Sequence, residues 1–161
     1  MVFDKSKFLS HKTEKLVYQE LKKMGFNIKL HETIYKSSRK THFKIDLYIQ
    51  DLNLCIEIDG NQHFRDLLMF YNSQGYEIQL NRDVFKMQKM QEKNISCIRL
   101  IQMECWNGKS TWIQNNLIPL IKRYETTQQI YIETTSQYKN IYDEHKMHMN
   151  HCLTESDLYL E

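Results

Sequence analysis

Two alternating stretches, "HFKIDLYIQ" and "LCIEID", separated only by "DLN", constrain this chain more than any other segment. Phe43, Ile45, Leu47 and Ile49 alternate with polar residues in the first, and Leu54, Ile56 and Ile58 do so in the second. A period of two marks half-buried strands, and the short break between them predicts a hairpin. Opposed residues in an antiparallel pair share a face, so apolar positions should meet apolar positions. One register does this throughout: Ile49 with Leu54, Leu47 with Ile56, Ile45 with Ile58. It sets Asp46 opposite Glu57, and slips that keep the apolar face set Asp46 opposite Cys55 or Asp59 instead. In each of these registers Asp46, Glu57 and Asp59 gather on the other face.

Opposed side chains have Cβ atoms about 5 Å apart. Two carboxylates at that distance repel by roughly 3 kcal/mol at an effective dielectric of 20. A raised pKa, a Lys or Arg, or a divalent cation must offset this. Mg²⁺ (or Mn²⁺) suits such a site, because it takes oxygen ligands, typically one or two carboxylates completed by water and substrate phosphate. The bland alternative is three acids facing solvent on a half-exposed sheet. Acids on both strands, few opposing cations, and Gly60 and His63 directly after Asp59 weigh against it.

The rest of the chain frames the hairpin. "SHKTEKLVYQELKKMGF" reads as a helix capped by Ser10 or Thr13, with Val17, Leu21 and Met24 in a stripe and Gly25 as its stop. Glu14 then lies in the first turn, bordering the buried face. "FNIKLHETI" is a possible first strand, followed by a basic loop carrying Lys36, Arg39, Lys40 and Lys44. "LNRDVFKMQKMQEKN" reads as a helix with Leu80, Val84, Met87 and Gln91 at helical spacing, and "ISCIRLI" as a short strand. "STWIQNNLIPLIKRY" reads as a further amphipathic helix, from Ser110, which Pro119 should kink or interrupt. The order predicts a mixed α/β domain over residues 1–124, with a polar, partly helical tail over 125–161.

Composition excludes several classes. At 161 residues, 41% apolar and 26% charged, the chain has the make-up of a soluble domain, and no apolar run reaches the roughly 18 residues of a membrane span. The N-terminus lacks the apolar core of a secretory signal. Cys55, Cys97, Cys105 and Cys152 show no paired spacing, which points to reduced thiols in an intracellular compartment. The absence of alanine and the abundance of Asn, Lys, Ile and Tyr fit the coding bias of an A+T-rich genome, such as that of a DNA virus or phage. A net charge of +2 is too small to signal a nucleic-acid partner by itself. "HKMHMNHC", with His145, His148, His151 and Cys152, lacks the paired spacing of a zinc site. It reads better as a docking helix, for a homodimer or another protein.

The segments "KIDLYI", "NLCIEIDGNQHF", "RDVFK" and "CIRL" together resemble the PD-(D/E)XK (restriction-endonuclease-like) nuclease superfamily, and within it the very-short-patch-repair endonuclease-like branch. The likeness spans residues 13–124, and "EIDGNQHF" is its most specific part. It implies a mixed β-sheet flanked by helices, and a divalent-metal-dependent endonuclease that hydrolyses phosphodiester bonds in DNA, with a strand break, a nick included, as the product. Carried over residue by residue, it implies Glu14, Asp46, His63 and Asp83 as site residues. Lys86, one helical turn after Asp83, stands on the same face. Asp59 occupies the place of the superfamily's ExK lysine, so His63 or Lys86 would take up part of that lysine's work.

The expected site thus has Asp46, Glu57 and Asp59 as metal ligands, and His63, Glu14, Asp83 and Lys86 as catalytic residues. Lys36, Arg39, Lys40 and Lys44 would contact phosphates. Arg99 would either bind phosphate or brace an acid. Two other classes remain: a nuclease-like module that binds nucleic acid or builds a complex without cutting, and a carboxylate-pair hydrolase acting on sugars. The basic loop and the histidine speak against the sugar hydrolase.

Overall fold

The structure is a computed structural model that describes residues 5–39, 42–60, 73–124, 132–134, 143–150 and 153–158. Helix α1 (Lys5–Lys23) leads into strands β1 (Ile28–Lys36), β2 (His42–Ile49) and β3 (Leu54–Asp59). Helix α2 (Ser73–Glu92) precedes β4 (Ser96–Ile101). Helices α3 (Gln102–Trp112) and α4 (Ile118–Tyr124) follow, then β5 (Ile132–Thr134) and α5 (Asp143–His148). The strands form one sheet in the order β1-β2-β3-β4-β5. The first three are antiparallel neighbours, and β4 and β5 add in parallel. This is the expected mixed α/β architecture.

Helices cover both faces of the sheet. Val17 and Leu21 of α1 and Ile113, Leu117 and Ile121 of the α3–α4 segment pack on Leu47, Ile49, Leu54, Ile56, Ile98 and Leu100. On the other side, Phe85 and Met90 of α2 meet Cys55, Cys97, Ile34, Phe43 and Ile45. Tyr35, Phe43 and Phe85 form a tilted aromatic cluster there, with ring centroids 5.1 to 6.0 Å apart.

The hairpin adopts the expected register at its closed end: Ile49 opposite Leu54, Tyr48 opposite Cys55, Leu47 opposite Ile56. The ladder stops there, and the expected pairing of Ile45 with Ile58 does not form. Ile58 joins the α1 side while Ile45 and Phe43 join the α2 side. β3 stays paired with β4 as far as Asp59, so β2 is the strand that departs.

Helix α1 begins at Lys5, ahead of both Ser10 and Thr13, which places Glu14 in mid-helix, away from the first turn. Thr13 is fully buried, so packing holds it inside the helix and neither residue acts as the cap. The C-terminus ends as expected. Gly25 takes φ +86°, Phe26 N–H donates to the Leu21 carbonyl and Gly25 N–H to that of Lys22. These two bonds satisfy carbonyls that the helix leaves open. The helix read from Ser110 starts earlier, at Gln102, with a break at Lys109 (φ 50°, ψ −137°). Ahead of Pro119 the chain widens into a π-turn, Ile113–Leu117, which accommodates the ring's missing N–H.

Residue 124 does not end the packed unit. β5 pairs with β4, Leu158 is fully buried in the α2-side core, and α5 packs along α2. No helix among the described residues is long and apolar enough to cross a membrane.

Candidate active site

The departure of β2 from β3 gives the site its shape. Where main-chain pairing ends, the two acids take over: Asp46 N–H donates to Glu57 Oε1 at 3.0 Å, and Ile58 N–H donates to Asp46 Oδ2 at 2.8 Å. Glu57 is buried; Asp46 is half-buried. Asp46 Oδ1 receives no hydrogen bond from the described residues and remains available to a ligand.

Lys86 of α2 closes the other side, with Nζ 2.8 Å from Glu57 Oε2. Burial pushes Asp46 up to about 6, with Glu14 and Asp59 adding to the rise and Lys86 and the Ile58 amide opposing it. Burial likewise pushes Glu57 up to about 7, reinforced by the Asp46 charge and opposed by Lys86 and Arg99. Burial alone would lower the Lys86 ammonium, yet Glu57 and Asp46 raise it above its ordinary value. Lys86 is thus the cation shared by both carboxylates, with Arg99 assisting at Glu57.

Two expected roles change. Asp59 is not placed to bind a metal, because both its oxygens accept 2.7 Å hydrogen bonds from the Arg99 fork. Arg99 is 1% exposed and also lies 3.4 Å from Asp83, so phosphate cannot reach it; it braces two acids. Asp83 faces inward as well, accepting from Gln79 at 3.0 Å and from His145 Nε2 at 3.1 Å. Asp83 thus belongs to a buried network one helical turn from Lys86, and does not join the Asp46–Glu57 pair. His145, singled out in the tail's His/Cys run, is committed to that network.

Compared with known proteins, the chain matches no family model and no curated protein. Geometry alone then says what these groups can do. Among the described residues no three His, Cys, Asp or Glu side chains converge as a ready-made cation cage. The open donor that remains is Asp46 Oδ1; Glu57 accepts from the Asp46 amide and from Lys86, so it would add an oxygen only on releasing one of them. One carboxylate still fits Mg²⁺ or Mn²⁺, which accept one or two and fill their other positions with water and phosphate. His63 and Lys40 lie outside the described residues, as do His151, Cys152 and the His148 side chain. Lys36, Arg39 and Lys44 are exposed around the β1–β2 turn, and the chain carrying Lys44 leads directly to Asp46.

Glu14 reaches the site from α1. It is 9% exposed, its charge contributes to the rise of Asp46, and its carboxylate lies 3.0 and 3.3 Å from His31 Nε2. Sequence reasoning missed His31. The pairs Leu30–Leu47 and Glu32–Ile45 flank it, which puts it in register with Asp46 on the neighbouring strand. Only the β1–β2 register could have revealed it, and β1 lacks the alternation that would fix that register: Lys29 to Thr33 are all exposed.

Proposed function

We propose that this protein is a divalent-metal-dependent endonuclease that hydrolyses phosphodiester bonds in DNA. The observation that carries the reading is the Asp46–Glu57 pair at the point where two strands part, with raised pKa values and one open carboxylate oxygen. A cation held by these acids would neutralise charge on the phosphoryl oxygens and lower the pKa of a bound water. Asp46 would present its open Oδ1, and Glu57 would add an oxygen on releasing Lys86. Lys86, kept charged by its neighbours, would hold Glu57 in place and offset negative charge that builds in the transition state. Lys36, Arg39 and Lys44 are exposed where a DNA backbone approaching Asp46 would pass. The sequence resemblance adds His63 as a proton carrier. The described cysteines are buried free thiols, in keeping with a reducing compartment.

A second reading has its own support. Lys86 already neutralises Glu57, and Arg99 already occupies Asp59, so the acids are self-compensated in the manner of a nuclease-like module that binds nucleic acid without cutting. One assay separates the two. The purified chain with Mg²⁺ or Mn²⁺ should cut supercoiled plasmid, and Asp46→Asn should abolish cutting while leaving the circular dichroism spectrum unchanged. Binding without cleavage across both metals and across duplex, branched and single-stranded DNA would overturn the nuclease reading in favour of the module.

A further inference from the structure

The Glu14–His31 pair stands beside Asp46, on the side away from Glu57 and Lys86. β2 lies between β1 and β3, so Asp46 meets the Glu57 side chain just past the end of one ladder and stands in register with His31 across the other. His31 occupies the left-handed region, φ 53°, within a strand. Histidine tolerates this better than most residues, but it remains a strained choice. Its Nε2 is directed at Glu14 on α1, while the ring stays 47% exposed.

We infer that His31 is the general base of the hydrolytic reaction, with Glu14 as the residue that orients it. This rests on the endonuclease reading above. Nε2–H donates to the Glu14 carboxylate, which leaves the bare lone pair on Nδ1, and Nδ1 has no hydrogen-bond partner among the described residues. A base whose second nitrogen is fixed by a carboxylate is the arrangement that activates nucleophiles in many hydrolases. A cavity of about 170 Å³, lined by His11, Glu14, Lys15, Tyr18 and Leu30, opens on the Glu14 side of the pair. In the step, a water oxygen forms the new bond to phosphorus and its proton passes to His31 Nδ1. The bond to the leaving oxygen breaks, and that oxygen takes a proton from bulk water. Glu14 of α1 faces His31 at 3.0 Å; His11 lies 3.9 Å from the same carboxylate, Lys15 lines the cavity beside it, and Asp46 of β2 is in register with His31.

The test compares pH–rate profiles of plasmid cleavage with Mg²⁺ for the unaltered chain, His31→Asn and His63→Ala. Asparagine accepts a positive φ and keeps an amide donor for Glu14, but it does not titrate. His31→Asn should cleave about 10²- to 10⁴-fold more slowly and lose the limb that rises with pH on the acid side. His63→Ala should keep that limb. Cleavage by His31→Asn within about threefold of the unaltered chain, with the limb intact, would overturn the assignment and leave the endonuclease reading standing. If the unaltered chain cuts no DNA with either metal, the endonuclease reading fails and His31 with it. Should His31→Asn not reach the native spectrum, Glu14→Gln decides. It should lower kcat by at least about tenfold with KM nearly unchanged, because the imidazole loses the carboxylate that orients it; an unchanged kcat refutes the proposal.

Discussion

At the scale of single residues, Asp46 and Glu57 bind protons more tightly in the folded chain than in the unfolded one. Their ordinary values of 3.8 and 4.5 rise to about 6 and about 7. Between about pH 4 and 7 the folded state therefore holds the extra protons, so stability is greatest below that window and declines as pH climbs through it. Asp46→Asn removes one of these charges while retaining an oxygen for the Ile58 amide. It should raise Tm at pH 8 by about 3 °C, corresponding to about 1 kcal/mol, and leave Tm at pH 4 nearly unchanged. Thermal scans at the two pH values check this. Mn²⁺ present at about 100 times its Kd should add about 2.7 kcal/mol to the unaltered chain and nothing to the variant. The clustering of acids was legible because alternation is strict on both strands. What separates Asp59 from the other two was not. Its partner Arg99 sits 40 residues away on a strand whose parallel register depends on α2.

Elements were legible wherever local chemistry decides them. Gly25 marks the end of α1 because a left-handed residue is needed there, and an added Cβ would meet nothing within 4 Å. The cost of Gly25→Ala is thus purely conformational, about 1 kcal/mol, lowering Tm by about 2–4 °C in a chain of this size. Chemical denaturation should give the same loss with an unchanged m-value. The hairpin register was legible for the same kind of reason as far as Leu47. Beyond it the competing demands of two cores draw Ile45 toward Phe85, and alternation within one strand carries no record of that pull. The start of α1 was hidden as well, since Thr13 carries a capping side chain but is buried by tertiary contacts.

For the molecule as a whole, the apolar stripe of Leu80, Val84 and Met87 was visible in the sequence, but its partner was not. Met149 and Leu153 from the C-terminal segment cover it. The same segment supplies His145 to Asp83, a carbonyl at Asp157 to the Asn81 amide at 3.2 Å, and the Glu155 carboxylate to the Ser38 N–H. A stretch of polar composition can still be integral when a few of its side chains fill one groove. A chain ended at residue 124 should therefore expose the Leu80–Val84–Met87 stripe, bind a hydrophobic dye in its native baseline and melt well below the full chain. His145→Ala, which leaves Asp83 without one partner, should lower stability by about 1–3 kcal/mol and Tm by several degrees.

The parting of β2 and β3 gives this protein a built-in reporter. The amide hydrogens of Asp46 and Ile58 are secured by carboxylates, which are ionisable, where most of the sheet relies on carbonyls, which are not. Their rates of deuterium uptake should consequently track the charge state of the acidic pair. A spectrum of two backbone positions would then register what binds between the parted strands.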